Sequence, residues 1–188
     1  MFQLNKKEAR LIILQRIELI SNFLKKIRKV FGRYIFTNFI SKYFLSTKDV
    51  AKAYFQNMQQ EFETINSAIN PNNKDLLSIG GGLGGLELVI NKNFNVKSFT
   101  FIERNYVSKK VRYGWDNKNN EAYNDINIQR NFLSKNGMQS SKFNIFDYDK
   151  DQLPESKYDI IISLFSLDYH YDFTIYLEYL KNNTHKDS

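Results

Sequence analysis

The chain has 188 residues, of which 42% are apolar and 15% aromatic, so it is long and hydrophobic enough for one domain with a substantial core. This composition argues against intrinsic disorder, and the absence of cysteine excludes a disulfide framework, a thiolate metal site and a cysteine nucleophile. The net charge of +7 is uneven, because residues 1–45 hold ten basic and two acidic side chains and the other 143 residues sum to −1. No apolar run approaches the roughly 20 residues that cross a bilayer, and the N-terminus lacks a signal-peptide pattern, so a soluble cytoplasmic protein is expected.

Residues 1–46 are interpreted as a basic, amphipathic helical segment that precedes the main domain. Apolar residues at spacings of three and four predict one helix from Lys6 to about Phe31, with a continuous stripe of Ile13, Ile17, Ile20, Leu24, Ile27 and Phe31. Such a helix could rest on an anionic membrane surface or pair with a partner helix. Packing on its own domain or on a second copy is favoured, because most amphipathic helices do this. Tyr34–Leu45 predicts a short second helix.

The main domain, residues 47–188, is predicted to begin with a long helix. Ser46 or Thr47 can cap its first turn, and the helix is expected to continue to about Ile69, just before Pro71 ends it. Its buried stripe is predicted to consist of Val50, Tyr54, Met58, Phe62 and Ile65.

The stretch DLLSIGGGLGGLELV, residues 75–89, is the strongest signature in the chain. It predicts a buried strand, a glycine turn and the start of a helix whose positive end faces a ligand. Glycines at 80, 82 and 84 fit the GxGxG turn of methyltransferases, whereas those at 80, 82 and 85 fit the dinucleotide pattern GxGxxG. The turn alone therefore leaves the nucleotide cofactor open.

Strands alternate with helices in the rest of the domain, which predicts an α/β fold with a parallel sheet and right-handed crossovers. The further strands are expected at Val96–Ile102, Lys142–Phe146 and Tyr158–Phe165, the last being the most buried. Helices are expected at Ile128–Asn136, closed by Gly137, and at Thr174–Lys181. Between them lies a long polar stretch, residues 104–127, with helical pieces around Val107–Tyr113.

From about residue 48 to 182 the chain resembles a class I S-adenosylmethionine-dependent methyltransferase, and loosely the sugar and small-molecule O-methyltransferases. Four features carry the resemblance in order: SIGGGLGG in the turn, Glu103 at the end of the second strand, Asp147 after the third in FNIFDYD, and the fourth-strand stretch YDIIISLFSLDYHYD. The resemblance implies a Rossmann-like sheet of strand order 3-2-1-4 and S-adenosyl-L-methionine as cofactor. It also implies a small-molecule or sugar acceptor.

The resemblance gives particular residues a place on the cofactor. Glu103 would accept hydrogen bonds from the ribose hydroxyls, Asp147 would accept one from the adenine amino group, and the glycine turn would lie under the methionine part. In this family an acidic residue often stands where the chain has Ser78, whose hydroxyl can still hydrogen-bond the loop. The predicted cofactor-binding set is Ser78, Gly80, Gly81, Gly82, Gly84, Glu103, Arg104, Asp147, Tyr148 and Ser163.

Catalytic candidates follow the fourth strand. Methyl transfer to an alcohol needs a base, and His170 is the first candidate because its ordinary pKa lies near neutrality. Asp168 is the rival base and Asp172 a weaker third, and these groups are too few to predict a metal site. The insertion Lys109–Asn124, with Tyr113 and Trp115, is a candidate acceptor-binding loop.

The methyltransferase sheet normally has seven strands, and only four are found before Ser188. Either the sequence is a truncated form, or it is a natural minimal form that covers the edge of its fourth strand with N-terminal helices or with a second copy in a homodimer.

Two other functions stay open. A methyltransferase-like partner protein without catalysis would fit the missing strands. An NAD(P)-dependent oxidoreductase would fit the glycines and Glu103, but it gives no reason for Asp147. A nucleic-acid methyltransferase is disfavoured, since an Asn-Pro-Pro-Tyr type signature is lacking and the basic arm alone is weak support.

Overall fold

A four-stranded parallel sheet lies at the centre of the computed structural model, which describes residues 1–20, 26, 36–37, 39, 46–108, 122–164, 166–167 and 173–185, except for the side chain of Ile17. The strands are β1 (Asp75–Ile79), β2 (Ser98–Glu103), β3 (Phe143–Asp147) and β4 (Ile160–Ile162). Their order is β3-β2-β1-β4, and each adjacent pair is parallel. This confirms the predicted α/β Rossmann-like sheet and its strand order.

Five α-helices surround the sheet in the described part of the chain. They are α1 (Lys6–Gln15), α2 (Thr47–Ile65), α3 (Gly85–Asn93), α4 (Ile126–Lys135) and α5 (Thr174–Asn183). Helix α2 packs on α3, and α1 packs on both α2 and α4. None of the helices within the described ranges is long and apolar enough to cross a membrane.

The two central strands are buried on both faces, because helices cover the sheet on both sides. Leu76 and Phe99 contribute to a large hydrophobic cluster that includes α1, α2 and α4. Leu77 and Ile102 contribute to a smaller cluster with Tyr176 of α5 on the other face. The sheet is thereby held between two apolar layers, and the carboxyl ends of its strands meet at one edge.

Helix α1 is shorter than the sequence predicts. It ends at Gln15, and Arg16 leaves the helical conformation with φ −129° and ψ 78°. The Arg16 guanidinium donates to Asn57 Oδ1 at 2.9 Å and to Glu61 Oε1 at 2.6 Å, both on α2. These long-range hydrogen bonds compete with continuation of the helix, so the prediction of one helix to Phe31 is wrong at this point. A short 3-10 turn, Ile17–Leu19, follows.

The interior of α1 is buried nearly all round, with Leu11, Ile12, Ile13 and Leu14 all inaccessible. Helix α1 is therefore part of the large hydrophobic cluster of the chain itself. The outer half of the predicted stripe, Leu24, Ile27 and Phe31, lies outside the described residues, as does most of the predicted helix Tyr34–Leu45.

Helix α2 confirms the predicted cap and core face. Ser46 Oγ accepts a hydrogen bond from the Asp49 N–H at 3.2 Å, and the helix ends at Ile65, a turn before the predicted Ile69. Of the five predicted stripe residues, Ile65 is half-buried and the other four are buried. The buried ones are Val50, Tyr54, Met58 and Phe62. After α4, Asn136 is the C-cap, and Gly137 takes the following left-handed position with φ +99°.

Strand β4 differs from its prediction in length and in burial. It has three residues, and Ile160 and Ile161 are only half-buried. The physical reason is its place in the sheet, since among the described strands it pairs with β1 alone. Asp159 extends the contact by one residue, because its N–H donates to Asp75 O and its carboxylate accepts from Asp75 N. Phe165 lies outside the described residues.

The predicted helical piece at Val107 is also corrected. Val107 pairs antiparallel with Tyr123, and the Ser108 N–H donates to Ala122 O at 2.7 Å. The long insertion therefore leaves and rejoins the fold at adjacent points. Its residues 109–121, including Tyr113 and Trp115, lie outside the described residues.

Candidate functional site

The glycine turn between β1 and α3 has a backbone that other residues adopt with strain. Gly80, Gly82 and Gly84 have φ values of +63°, +66° and +81°. A Cβ at Gly80 would collide with Ser166, and one at Gly82 would lie 2.7 Å from Oε1 of Gln15. The three left-handed glycines are those of the GxGxG pattern. The turn directly follows the carboxyl end of β1. Its first residue still bonds to the neighbouring strand, because the Gly80 N–H donates to Ile102 O in β2 at 3.0 Å.

A buried carboxylate, that of Glu87, lies next to the glycine turn. Ser78 Oγ donates to Oε1 of Glu87, in the first turn of α3, at 2.5 Å. Glu87 is 1% exposed, and its Oε2 has no hydrogen-bond partner within the described structure. Burial raises the pKa of Glu87, and the hydrogen bond from Ser78 only partly opposes this shift. The Ser78 hydroxyl therefore binds Glu87, whereas the sequence suggested that it binds the loop.

A second buried carboxylate, Glu103, ends β2. It is 5% exposed, and its Oε1 lacks a hydrogen-bond partner among the residues described. Burial raises the pKa of Glu103 well above its usual range, and the neighbouring Glu87 carboxylate raises it further. Polar groups of Asn124, Gly82 and Gln129 oppose the shift but do not cancel it. Glu103 is thus a buried residue beside the glycine turn whose Oε1 can accept a further hydrogen bond.

Asp147 lies directly across from Glu103 in the β2–β3 register. Its Oδ1 accepts from the Asp149 N–H at 3.2 Å, and its Oδ2 is 3.5 Å from Lys150 Nζ. Its own N–H donates to Asp151 Oδ2 at 2.7 Å. The carboxylate therefore shapes the turn after β3, and it is placed at the same sheet edge as Glu103.

Arg104 and Tyr148 come together one residue beyond these two carboxylates. The Arg104 guanidinium carbon lies 4.9 Å from the centre of the Tyr148 ring, and Nη1 is 3.6 Å from Asp149 Oδ1. Tyr148 also packs on Tyr176 of α5, with the ring centres 5.0 Å apart. A cation above an aromatic ring is a stable local arrangement, and here it forms one side of the strand-end edge.

The chain after β4 closes on the glycine turn through two serines. Ser166 Oγ donates to Ile79 O at 2.7 Å, and Ser163 Oγ lies 2.7 Å from Ser166 Oγ. Of the predicted residues here, Ser163 is thus brought to the turn. The predicted bases His170 and Asp168, and the weaker candidate Asp172, lie outside the described residues.

A cluster of amide side chains contacts the glycine turn. Gln15 Nε2 donates to Tyr123 O at 2.8 Å, and Asn124 Nδ2 donates to Gly82 O at 3.1 Å and to Gln129 Oε1 at 3.0 Å. Sequence reasoning did not single out Gln15, Gln129 or Glu87 for the site. The available signal was a polar side chain next to a buried apolar run, as in LIILQ, where Gln15 follows Leu14.

These groups together suit a nucleoside with a polar tail. The ribose of such a ligand presents two hydroxyl donors, and Glu103 Oε1 is a buried acceptor without a partner among the described residues. The turn lets a ligand approach the backbone closely at the carboxyl ends of parallel strands, where open α/β sheets bind ligands. The residues present therefore fit the donor side of an S-adenosylmethionine site.

No protein-family model matches the chain, and no curated protein matches it either. Solved structures do show similarity. Coclaurine N-methyltransferase bound to N-methylheliamine and S-adenosylhomocysteine has a TM-score of 0.45 and 14% identity over 74% of this chain and 34% of its own. A Pyrococcus horikoshii protein that has been proposed to be an RNA methyltransferase has a TM-score of 0.42 and 15% identity over 69% and 56%. YjhP from E. coli has a TM-score of 0.44 and 13% identity over 68% and 45%.

The chain spans about a third to somewhat over half the length of these three proteins. Identities of this size with TM-scores below 0.5 assign neither a substrate nor a reaction to it.

Proposed function

We propose that the protein is an S-adenosyl-L-methionine-dependent methyltransferase. The observation that carries the proposal is Glu103 Oε1, a buried carboxylate oxygen without a hydrogen-bond partner in the described structure, at the end of the strand next to a three-glycine turn. A buried unpaired acceptor is costly, which is why such groups nearly always have a partner. The ribose hydroxyls of the cofactor would be that partner.

The other residues of the edge take the roles that the resemblance suggests. Asp147 would accept from the adenine amino group, since each of its oxygens has lone pairs beyond the contacts it already makes. Gly80, Gly82 and Gly84 would lie under the methionine part, where a Cβ would fill the space. When bound, the cofactor supplies an electrophilic methyl group.

We propose further that the acceptor is a hydroxyl group of a small molecule or sugar. Much of the acceleration of such a transfer comes from holding donor and acceptor in line. The chain's own chemical contribution would be removal of the hydroxyl proton, for which His170 is the first candidate and Asp168 the second. These roles rest on sequence position after β4.

Calorimetric titration of the intact chain tests the cofactor. S-Adenosylhomocysteine is expected to bind and NAD is not. Glu103→Ala is expected to weaken S-adenosylhomocysteine binding about tenfold or more, since it removes the acceptor proposed for the ribose hydroxyls. The exposed Glu155→Ala is the control. Binding of NAD alone would favour the oxidoreductase alternative and overturn the proposal. Unchanged affinity in Glu103→Ala would overturn the ribose role.

Turnover is tested separately from binding. Formation of S-adenosylhomocysteine is measured with panels of sugars and small alcohols, and His170→Ala is compared with the control His185→Ala. Loss of turnover only in His170→Ala, with cofactor affinity retained, is the expected result. Cofactor binding with no turnover on any acceptor would support the non-catalytic partner protein instead.

A further inference from the structure

We propose that Glu87 binds the ammonium group of the cofactor's methionine part, and so acts as a positioning residue on helix α3. This inference rests on the proposed function, because it requires a ligand that carries a cationic amino-acid end. The carboxylate stands on the helix, whereas the strand position at which the resemblance would place an acidic residue is Ser78.

The geometry places the Glu87 carboxylate against the turn. A Cβ at Gly81 would lie 2.9 Å from Glu87 Oε1 and 2.5 Å from Ser78 Oγ. The carboxylate thus reaches the backbone of the turn that would lie under the methionine part. Oε1 accepts the Ser78 hydrogen bond at 2.5 Å, while Oε2 has no partner among the residues described. One oxygen is oriented, and the other is left for a ligand.

The charged groups around Glu87 would allow a further cation to bind its carboxylate. Arg16 is a positive group that acts on Glu87, and its guanidinium is hydrogen-bonded to Asn57 and Glu61. Glu61, Tyr54 and Glu103 are the other titratable groups whose charges couple to that of Glu87. Because Arg16 is bound to Glu61, it neutralises the Glu87 carboxylate only in part, and a buried carboxylate that is not fully neutralised is expensive in a protein interior. An ammonium group at Oε2 would neutralise that charge.

The arrangement also accounts for Ser78. The serine hydroxyl touches the Glu87 carboxylate, so a carboxylate carried by either residue 78 or residue 87 would reach nearly the same place. The chain carries that charge on the helix and uses the serine to orient it. Moving the carboxylate back to the strand should therefore restore what its removal from the helix takes away.

The decisive comparison uses two ligands that share the adenosine and the thioether. S-Adenosylhomocysteine carries the amino-acid end, and 5′-methylthioadenosine lacks it. Calorimetry on Glu87→Gln is expected to show about tenfold or more weaker binding of S-adenosylhomocysteine, with no comparable loss for 5′-methylthioadenosine. The exposed Glu63→Gln on α2 should alter neither. Glu103→Gln should weaken both, since both ligands carry the ribose.

A rescue variant provides the second arm. Ser78→Asp combined with Glu87→Ala is expected to recover much of the selective affinity for S-adenosylhomocysteine that Glu87→Ala alone loses. An equal loss for both ligands in Glu87→Gln, or no loss, overturns the role of Glu87 while leaving the proposed function intact. If the unmodified chain binds neither ligand, the proposed function fails first.

Thermal melting of each variant checks that it folds. If Glu87→Gln does not fold, the unmodified chain decides by itself with an analogue of S-adenosylhomocysteine that lacks only the amino group. Binding about tenfold weaker or worse supports an anionic partner for the ammonium at the turn. Equal binding of the two compounds overturns the proposal.

Discussion

Two carboxylates, Glu87 and Glu103, determine the electrostatics of the turn. Both are almost inaccessible to solvent, and each has one oxygen without a hydrogen-bond partner in the described residues. Burial raises both pKa values, and Glu87 further raises that of Glu103. In the ligand-free protein the pair therefore holds a proton more tightly than two surface carboxylates would, and a cationic ligand would displace it.

Replacing Glu103 by Gln is expected to make the protein more stable at high pH relative to the unmodified chain. The raised pKa means that the folded state keeps a proton that the unfolded state has lost, so this group's contribution to stability falls as the pH rises above about 4.3 towards the raised value. Denaturant unfolding at about pH 5 and about pH 8 measures the difference. A gap between variant and parent that does not grow with pH would contradict the raised pKa.

Alanine at Gly82 should cost stability and also cofactor affinity. The left-handed backbone strains a Cβ by about 1–2 kcal/mol, and this Cβ would also displace Gln15. Gly137→Ala is the matched control, since Gly137 has φ +99° with nothing within 4 Å of its Cβ. Chemical denaturation should show a loss for both variants, and only Gly82→Ala should lose S-adenosylhomocysteine binding in calorimetry. Equal effects of the two variants on binding would contradict a ligand close to Gly82.

The helices and strands show where sequence patterns suffice. The α2 stripe and the buried strands β1 and β2 follow from local periodicity and apolar runs, so they could be predicted within a few residues. The end of α1 could not, because it depends on Arg16 reaching α2 more than forty residues away. The apolar run around β4 indicated a buried strand, but its half-exposure is set by its neighbours in the sheet.

Some residues of the site could likewise be predicted from the sequence, whereas others are brought to it only by the fold. Glu103 and Asp147 could be predicted from their positions at strand ends. Glu87 could not, since only the glycine turn brings it to Ser78. Gln15 is more distant still, because its partner Tyr123 lies 108 residues along the chain. The LIILQ run marks Gln15 as a polar residue beside apolar ones, but it does not indicate which residue Gln15 contacts.

The contribution of the Arg16–Glu61 ion pair to stability can be measured by removing the charge of Glu61. Glu61→Gln is expected to lower the free energy of unfolding by about 1.5–3 kcal/mol, because Arg16 Nη1 and Nη2 lie 2.6 and 3.2 Å from the two Glu61 oxygens and both side chains are largely buried. Glu63→Gln, exposed on the same helix, should stay within about 0.5 kcal/mol of the parent. Denaturant melts of both variants decide, and equal losses would remove the special role of Arg16.

The whole molecule depends on its first residues. Phe2 contacts the rings of Tyr54, Phe55 and Phe132, with ring centres 5.1 to 5.5 Å apart. Glu8 of α1 accepts from Lys135 of α4 at 2.5 Å. The N-terminus thereby joins helices from both halves of the chain into one apolar cluster.

Phe2→Ala should therefore destabilise the protein strongly for a change so near a terminus. The expected loss is about 3 kcal/mol, the usual cost of deleting a buried aromatic ring. Phe173→Ala, with a ring that is 37% exposed, is the matched control and should cost much less. Thermal and denaturant unfolding measure both. Equal losses would mean that the first residues do not belong to the cooperative core.

The antiparallel pairing of Val107 with Tyr123 has a consequence for evolution. The chain leaves and rejoins the fold through paired backbone, with Ser108 hydrogen-bonded to Ala122 and Tyr106 to Asn124. Once the two stems are paired, the entropy cost of closing the intervening loop grows slowly with its length, by about 0.6 kcal/mol for each doubling. Evolution can therefore lengthen, shorten or replace residues 109–121 without changing the sheet or its glycine turn. Such changes would leave the proposed cofactor-binding residues of the sheet edge and the turn in place.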